Sequence, residues 1–210
     1  MKGLLLKDLA IVKQQGKSIF IIIAIAVFMM MSGNDITFAI AYANILFVMF
    51  GITTLNYDAF DNGFSFLFTL PITRKMYVAE KYLFSLMCVV TGLSISAILM
   101  LVTGNMNSEA IGFIVGYAMA AIFLLSALLP IELKFGPEKG RIAMIVIFAI
   151  VFALVFGIKK VVGVDRLASI LISLEKMNEI AVMCILAGIV IILLGISYFI
   201  SCKVMEKKEF

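Results

Sequence analysis

The chain of 210 residues is 64% apolar and only 14% charged, whereas soluble domains are about 45–50% apolar and about 25% charged. These proportions exclude an ordinary soluble domain and predict a polytopic membrane protein, because no separate region is both long and polar enough to fold in water. The net charge of +4 does not indicate nucleic-acid binding, since the basic residues lie at the edges of the apolar runs.

The first predicted element is an amphipathic helix at residues 2–16. Leu5, Leu9 and Val12 share one face of it, and Lys7 lies roughly opposite. A helix with lysines on its polar side is typical of the membrane interface, next to anionic lipid. A plain helical extension of the first span is the alternative.

Six apolar runs follow, each close to the roughly 20 residues with which a helix crosses a hydrocarbon core. The sequence therefore predicts an all-α fold, in one domain, with six transmembrane helices at residues 18–33, 36–55, 83–103, 110–129, 142–158 and 180–202. Pro71, Pro130 and Pro137 all fall between these runs. We therefore expect a helix to end near each proline, where no hydrogen bond is lost.

The distribution of lysine and arginine predicts the orientation in the membrane. The N-terminal segment, the connections at residues 56–82 and 130–141 and the C-terminal tail each carry at least three such residues, whereas residues 32–35 and 104–109 carry none. By the positive-inside rule, both termini and the basic connections are predicted to be cytoplasmic.

The connection at residues 159–179 carries charges of both signs and falls on the outer side by alternation. An apolar face at helical spacing lies within it, formed by Leu167, Ile170, Leu171 and Leu174. This pattern predicts a short amphipathic segment at residues 164–178, on the outer membrane face.

Residues 56–82 form the longest charged connection and alternate charges with aromatic rings. Asp58, Phe60, Asp61 and Phe64 suit a short amphipathic helix. Carboxylates near its start favour the positive end of the helix dipole, and the rings can anchor in a partner's pocket. The alternative is a solvated loop whose aromatic rings lie among the lipid headgroups.

Several kinds of chemistry have no residues to support them. None of the six runs has a charged residue or a histidine in its middle, which argues against an ion-coupled carrier. The chain has no histidine and three dispersed cysteines, so neither a metal site nor a disulfide framework is predicted. It has no GxxxxGK[ST] phosphate loop and no nucleophile paired with a base. We expect no catalytic residue, and thus no enzyme.

Three segments together resemble one known family. They are MKGLLLKDL at the N-terminus, the stretch that runs from Asp58 through TLPITRK to EKYL, and KFGPEKGR at residues 134–141. They resemble the short permeases of bacterial ABC transporters of the type-2 exporter class, whose members include the permeases of phenol-soluble-modulin exporters. The resemblance covers essentially the whole chain.

This resemblance implies a complex in the bacterial plasma membrane. Two permease chains, identical or paralogous, are surrounded by lipid and work with two separate ATPase subunits, which bind ATP and magnesium, whereas the permease binds no cofactor. A coupling helix around residues 56–66 docks in a groove of the ATPase, and residues 132–141 supply a second contact. The residues expected to contact the ATPase are Asp58, Phe60, Asp61, Phe64, Glu132, Lys139 and Arg141.

The expected function is ATP-driven export by alternating access. Spans without charges suit amphipathic peptides of the toxin or antimicrobial type, with hydrophobic compounds as a second class of cargo. A membrane protein that confers immunity by sequestering such peptides, without an ATPase, is the alternative.

Overall fold

The computed structural model describes residues 2–31, 36–60, 63–102, 108–162 and 179–208. Over these ranges the chain forms helices joined by short turns, with no strand, which confirms the all-α prediction for the described part. The helices are α1 (Lys2–Gln14), α2 (Gly16–Met31), α3 (Ile36–Ala59), α4 (Gly63–Leu67), α5 (Arg74–Val102), α6 (Ser108–Val162) and α7 (Glu179–Lys207).

Four of the described helices are long and apolar enough to cross a membrane. These stretches are Ile40–Ala59, Arg74–Val102, Gly112–Pro137 and Met183–Lys207. Helices α1 and α2 are bent by 61° relative to each other and would add a fifth span if the pair crossed together. Six spans therefore remain a prediction, and the predicted outer segment at residues 164–178 lies outside the described residues.

Many of the charged residues lie at one end of the bundle, where several of them form ion pairs. Helices α5 and α7 each have 29 residues, which makes them roughly 43 Å long, whereas a hydrocarbon core is about 30 Å thick. Their polar turns can therefore extend beyond the core. We call this region the charged end; it comprises residues 2–8, 54–60, 63–82, 129–140 and 200–208.

An apolar cluster holds the charged end together. It includes Leu4 of α1, Leu55 of α3, Tyr77 of α5, Leu133 of α6 and Met205 of α7, all of them buried. Side chains from five helices thus meet in one cluster. The N-terminal helix is consequently packed against the spans at this end.

Helix α3 runs four residues beyond the predicted span at 36–55 and ends at Ala59. It packs closely on α5, because a Cβ on Gly51 would lie 2.8 Å from the Oγ atom of Ser85. Nearer the other end of this helix pair, the Nδ2 atom of Asn44 donates a hydrogen bond to the Oγ atom of Ser96 at 2.9 Å. Small residues and interhelical hydrogen bonds of this kind join helices within a membrane.

The expectation that a helix ends at Pro130 is wrong, because α6 continues through this residue. A proline inside a helix deprives the carbonyl four residues earlier of its N–H donor, and here that carbonyl belongs to Ser126. The hydroxyl of Ser197 in α7 donates to this carbonyl at 2.5 Å. A neighbouring helix thus replaces the missing donor, as membrane helices with proline require.

The Ser197 hydroxyl is held in place by α5. Its Oγ atom lies 2.6 Å from the hydroxyl of Tyr82. Since the Ser197 proton points to the Ser126 carbonyl, the Tyr82 hydroxyl is the donor in this contact. The Oγ atom of Ser201 lies 2.8 Å from the same Tyr82 oxygen, which can accept its proton. One hydrogen-bonded chain therefore connects α5, α7 and α6.

Helix α6 breaks at Gly136, whose φ of 76° and ψ of 177° are not helical. Glycine adopts this conformation readily because it has no Cβ. The following residue, Pro137, disfavours a helical conformation at the position before it and fits well in the first turn of a new helix. Gly136 and Pro137 together therefore determine where the first helical part of α6 ends and the second begins. The remaining proline, Pro71, lies between α4 and α5.

Removing the Ser197 hydroxyl should cost stability only while Pro130 is present. We expect Ser197→Ala to lower the free energy of unfolding in detergent by about 1 kcal/mol, since it leaves the buried Ser126 carbonyl without a donor. In a Pro130→Ala background the backbone N–H of residue 130 can supply that hydrogen bond, so the cost should largely disappear. Denaturant unfolding of the four proteins in this double-mutant cycle gives the comparison.

Ser94→Ala is a suitable control for the same measurement. Its exposed hydroxyl bonds to the carbonyl of Val90 in its own helix, so little change is expected. An equal cost of Ser197→Ala with and without Pro130 would contradict this account of the proline.

Candidate functional site

A fully buried lysine lies at the centre of the charged end. Lys81 of α5 and Asp8 of α1 are both 0% exposed. The Nζ atom of Lys81 lies 2.5 Å from the Oδ2 atom of Asp8 and 2.8 Å from the Oδ2 atom of Asp58 in α3. One ammonium group therefore joins three helices that are far apart in the sequence.

Asp58 has three partners in this cluster. Besides Lys81, it forms a salt bridge with Lys7 of α1 through its Oδ1 atom, and the hydroxyl of Tyr77 donates to its Oδ2 atom at 3.0 Å. Its carboxylate is therefore directed inward and is almost completely buried. Asp58 would therefore affect a partner protein indirectly, through the position of Phe60, which follows it in the chain.

A third carboxylate adds negative charge to the cluster. Glu80 is 1% exposed, and its Oε2 atom lies 4.0 Å from the Nζ atom of Lys81. Three carboxyl groups, those of Asp8, Asp58 and Glu80, thus surround the two ammonium groups of Lys7 and Lys81. The cluster therefore depends strongly on its two lysines.

Past Asp58 the chain presents large apolar side chains on its surface. Phe60 is 60% exposed, Phe66 of α4 is 74% exposed, and Leu70 is 48% exposed. We refer to the two exposed rings, Phe60 and Phe66, as the aromatic surface. Phe64, also in α4, faces inward, where its ring packs edge-on against Tyr77 at 5.8 Å between centroids. Helix α4 thus has one packed and one exposed face, as an amphipathic docking segment requires.

Two residues that the sequence assigns to separate contacts line one cavity. Phe60 and Glu132 both border a cavity of about 260 Å³ between α3 and α6, together with Asn56 and Tyr57. We call it the α3–α6 pocket. Among the described residues that line it, Glu132 is the charged one.

The Glu132 carboxylate is 3% exposed and lies directly against Gly140. A Cβ on Gly140 would lie 2.5 Å from this carboxylate, so the absence of a side chain there provides its space. Lys139, the neighbouring predicted contact, is exposed. Asp61 and the side chain of Arg141 lie outside the described part of the chain.

The end of α7 is fastened to the rest of the charged end by two basic residues. Arg74 at the start of α5 donates through its Nη1 atom to the carbonyl of Met205 at 3.1 Å, and also to that of Glu206. A cation at a helix C-terminus also interacts favourably with the helix dipole. Lys208 donates to the carbonyl of Leu133 in α6 at 2.9 Å.

The sequence analysis did not find the ionic cluster. It placed Lys7 on the polar face of a lone helix and did not single out Asp8 or Lys81. A signal was present, because Asp8 is the one acidic residue in the first 34 positions, on a helix otherwise charged by lysines. An acidic residue isolated in this way predicts a basic partner elsewhere in the chain.

Replacing Lys81 by methionine should strongly destabilise the protein. The change leaves the buried carboxylates of Asp8 and Asp58 with only the partly exposed Lys7 as an ammonium partner, and breaking a buried ion pair costs about 3–5 kcal/mol. We expect a loss of this size in the free energy of unfolding in detergent. Limited proteolysis should at the same time cleave α1 more readily, since its anchor to α5 is lost.

Lys75→Gln provides the matched control. Lys75 also belongs to α5 and pairs with Glu206 at 3.3 Å, but its side chain is 70% exposed, and exposed pairs contribute at most about 1 kcal/mol. If Lys81→Met and Lys75→Gln had equal and small effects, the central role of the buried cluster would be wrong.

The chain matches a family model over nearly its whole length. The model described as ABC-2 family transporter protein matches residues 3–206 of this chain. The match includes all of the residues that form the ionic cluster, the aromatic surface and the α3–α6 pocket. Among curated proteins and among solved structures, none matches the chain.

Proposed function

The chain belongs to the ABC-2 family of transporter proteins, and from this we propose that it exports amphipathic peptides as one subunit of a larger complex. Proteins of this family are the membrane permeases of ABC transporters and work with an ABC ATPase. The permease is the transmembrane component and is generally not catalytic itself. The direction of transport, the cargo and the composition of the complex are the parts proposed here.

The proposed complex contains two permease chains, as a homodimer or a paralogous heterodimer, and two ATPase subunits in the bacterial plasma membrane. Both termini and the charged end face the cytoplasm, because the lysines and arginines of the connections concentrate there. The ATPase subunits bind ATP and magnesium, and the permease binds no cofactor. Alternating access then follows from nucleotide-dependent movement of the ATPase subunits.

The observation that carries the proposal is that the first and the second charged connections meet at the α3–α6 pocket. Phe60 belongs to both the aromatic surface and the α3–α6 pocket, where it meets Glu132 from the second connection. Exposed aromatic residues are enriched among the side chains that dominate binding between proteins. The half-exposed rings of Tyr57 and Phe60 beside this pocket therefore suit contact with the ATPase.

The position of this surface also suits the transmission of movement. Phe60 directly follows α3, and α4 rests on Tyr77 of α5 through Phe64. The buried pairs of Lys81 then connect α3 and α5 to α1. A displacement of the docked ATPase would therefore act on packed helices with two spans attached, and packed elements move as units.

The proposed cargo follows from the character of the spans. Residues 83–102 of α5 and 180–202 of α7 contain no charged side chain, so they offer little to a small hydrophilic ion. An amphipathic peptide can instead place its apolar face against such helices. The resemblance to permeases of phenol-soluble-modulin exporters supports the same class, and hydrophobic compounds are the second candidate.

Truncating the aromatic surface should weaken binding of the ATPase. We expect Phe66→Ala and Phe60→Ala each to lower the affinity by about tenfold or more, as loss of a well-placed aromatic anchor does. The tagged chain is purified from its native membrane in mild detergent. The ATPase is identified by its GxxxxGK[ST] loop and by ATP hydrolysis, and its affinity is then measured by titration.

Phe20→Ala is the matched control for this titration. Phe20 of α2 has the same 74% exposure as Phe66 but lies in a predicted span, so the ATPase affinity should not change. Unchanged affinity in Phe66→Ala and Phe60→Ala would move the docking surface elsewhere. If no ATPase accompanied the wild-type chain, the proposed complex itself would be refuted.

Transport should depend on ATP hydrolysis by the partner. In inverted membrane vesicles that contain the chain and its ATPase, we expect ATP to drive uptake of a fluorescent amphipathic peptide, and the Phe66→Ala variant to reduce the rate at limiting ATPase concentration. Vesicles without the chain provide the background. Peptide bound equally with and without ATP would instead identify a sequestering membrane protein.

A further inference from the structure

A second cavity at the charged end has a quite different lining. It has a volume of about 440 Å³ and is lined by Lys134, Ile200, Lys203, Val204, Lys207 and Lys208. Four of these residues are lysines, two are aliphatic, and none is acidic. We call it the lysine cavity. None of its lining residues belongs to the aromatic surface or to the α3–α6 pocket.

The helix geometry of α7 explains why these side chains converge. Ile200, Lys203, Val204 and Lys207 follow one another at intervals of three, one and three residues, which places them on a single helix face. Lys134 approaches from α6. Like charges three or four residues apart on a helix repel each other, so this face gains stability from a bound anion.

The chain itself does not provide that anion among its described residues. Lys134, Lys203 and Lys207 form no salt bridge within the described ranges. The nearest acidic residue in sequence, Glu206, pairs instead with Lys75 of α5 at 3.3 Å. The ammonium groups of Lys134, Lys203 and Lys207 are therefore available to an anion from outside the described part of the chain.

One wall of the cavity is fixed in place. The Nζ atom of Lys208 donates to the carbonyl of Leu133 at 2.9 Å and lies 5.0 Å from the ring centroid of Phe64. Burial lowers the pKa of the Lys208 ammonium, and a nearby anion would favour its charged form. A preformed wall reduces the entropy that a ligand loses on binding.

The place of the cavity in the bundle indicates the kind of anion. It lies at the last turns of the candidate span Met183–Lys207, where the apolar run ends and the lysines begin. Ile200 is about half exposed and lies one turn toward the apolar part. A ligand with a phosphate group next to a hydrocarbon chain matches this lining, because the phosphate can contact the lysines and the hydrocarbon can contact Ile200 and Val204. Basic pockets between membrane helices bind lipid headgroups of this kind.

We propose that the lysine cavity binds the headgroup of an anionic phospholipid, with the phosphate among the lysines and the acyl chains beside Ile200 and Val204. The lipid would bridge α7 and α6 at Lys134, two residues before the break at Gly136. It would thereby stabilise the contact between the end of α7 and the second connection. This site is independent of the proposed export function.

The test uses the purified chain alone, without an ATPase. Phosphatidylglycerol and phosphatidylcholine of the same acyl chains are titrated into the delipidated protein, and bound lipid is counted by native mass spectrometry. We expect a clear preference of the wild type for phosphatidylglycerol. Because each lysine near an anionic headgroup contributes about fivefold in affinity, Lys203→Gln with Lys207→Gln should reduce phosphatidylglycerol binding by roughly 25-fold.

Two further variants make the result specific. Lys13→Gln with Lys17→Gln removes two lysines from another predicted interface and should keep the preference. Lys203→Arg with Lys207→Arg should also keep it, which separates the loss of charge from a failure to fold. If the variant with Lys203→Gln and Lys207→Gln kept the preference for phosphatidylglycerol, the proposal would be wrong.

The remaining arms identify other ligands. Inorganic phosphate at millimolar concentration should not displace the lipid; displacement by phosphate alone would overturn the lipid assignment in favour of a soluble phosphate compound. The same Gln variant is also tested in the ATPase titration. If it bound lipid normally but had lost affinity for the ATPase, the lysine cavity would be a contact with that protein and the lipid proposal would be wrong. Neither result would affect the aromatic surface, whose test is separate.

Discussion

The ammonium of Lys81, held between the carboxylates of Asp8 and Asp58, is the interaction on which the charged end depends. Burying an ion is costly unless partners in good geometry surround it, and here the partners come from α1 and α3. The order of the charged end is thus fixed by charge as well as by apolar packing. The surface formed by Phe60 and Phe66 rests on this base, so its position follows from a contact in the interior.

A second polar system begins one residue later. Tyr82 supports Ser197, which in turn satisfies the carbonyl that Pro130 leaves free. Helix α5 therefore binds α1 and α3 through one residue and α6 and α7 through the next. This arrangement places α5 at the junction between the surface proposed to dock an ATPase and the helices proposed to line the path of the cargo. Coupling between the two requires such a junction.

Features that repeat along one helix could be predicted from the sequence, whereas features between distant residues could not. The apolar runs gave the helices, and alternating rings and charges pointed to Phe60 and Phe64. The inward direction of Asp58 was missed because its partners, Lys7 and Lys81, lie 51 and 23 positions away. The predicted helix end at Pro130 was wrong for the same reason, because the hydroxyl that replaces the missing donor belongs to Ser197, 67 residues further on. Phe60 and Glu132 were both selected, but their common pocket depends on tertiary packing.

The ionic cluster has a consequence for how the chain is made. A ribosome synthesises α1 first, yet the lysine that completes the site of Asp8 follows 73 residues later. Until α3 and α5 have entered the membrane, α1 has only Lys7 beside its carboxylate. Its docking is therefore a late step of assembly, although it comes first in the chain. A nascent chain interrupted before α5 would leave α1 without Lys81 as a partner, and α1 would then be more accessible to proteases than in the folded protein.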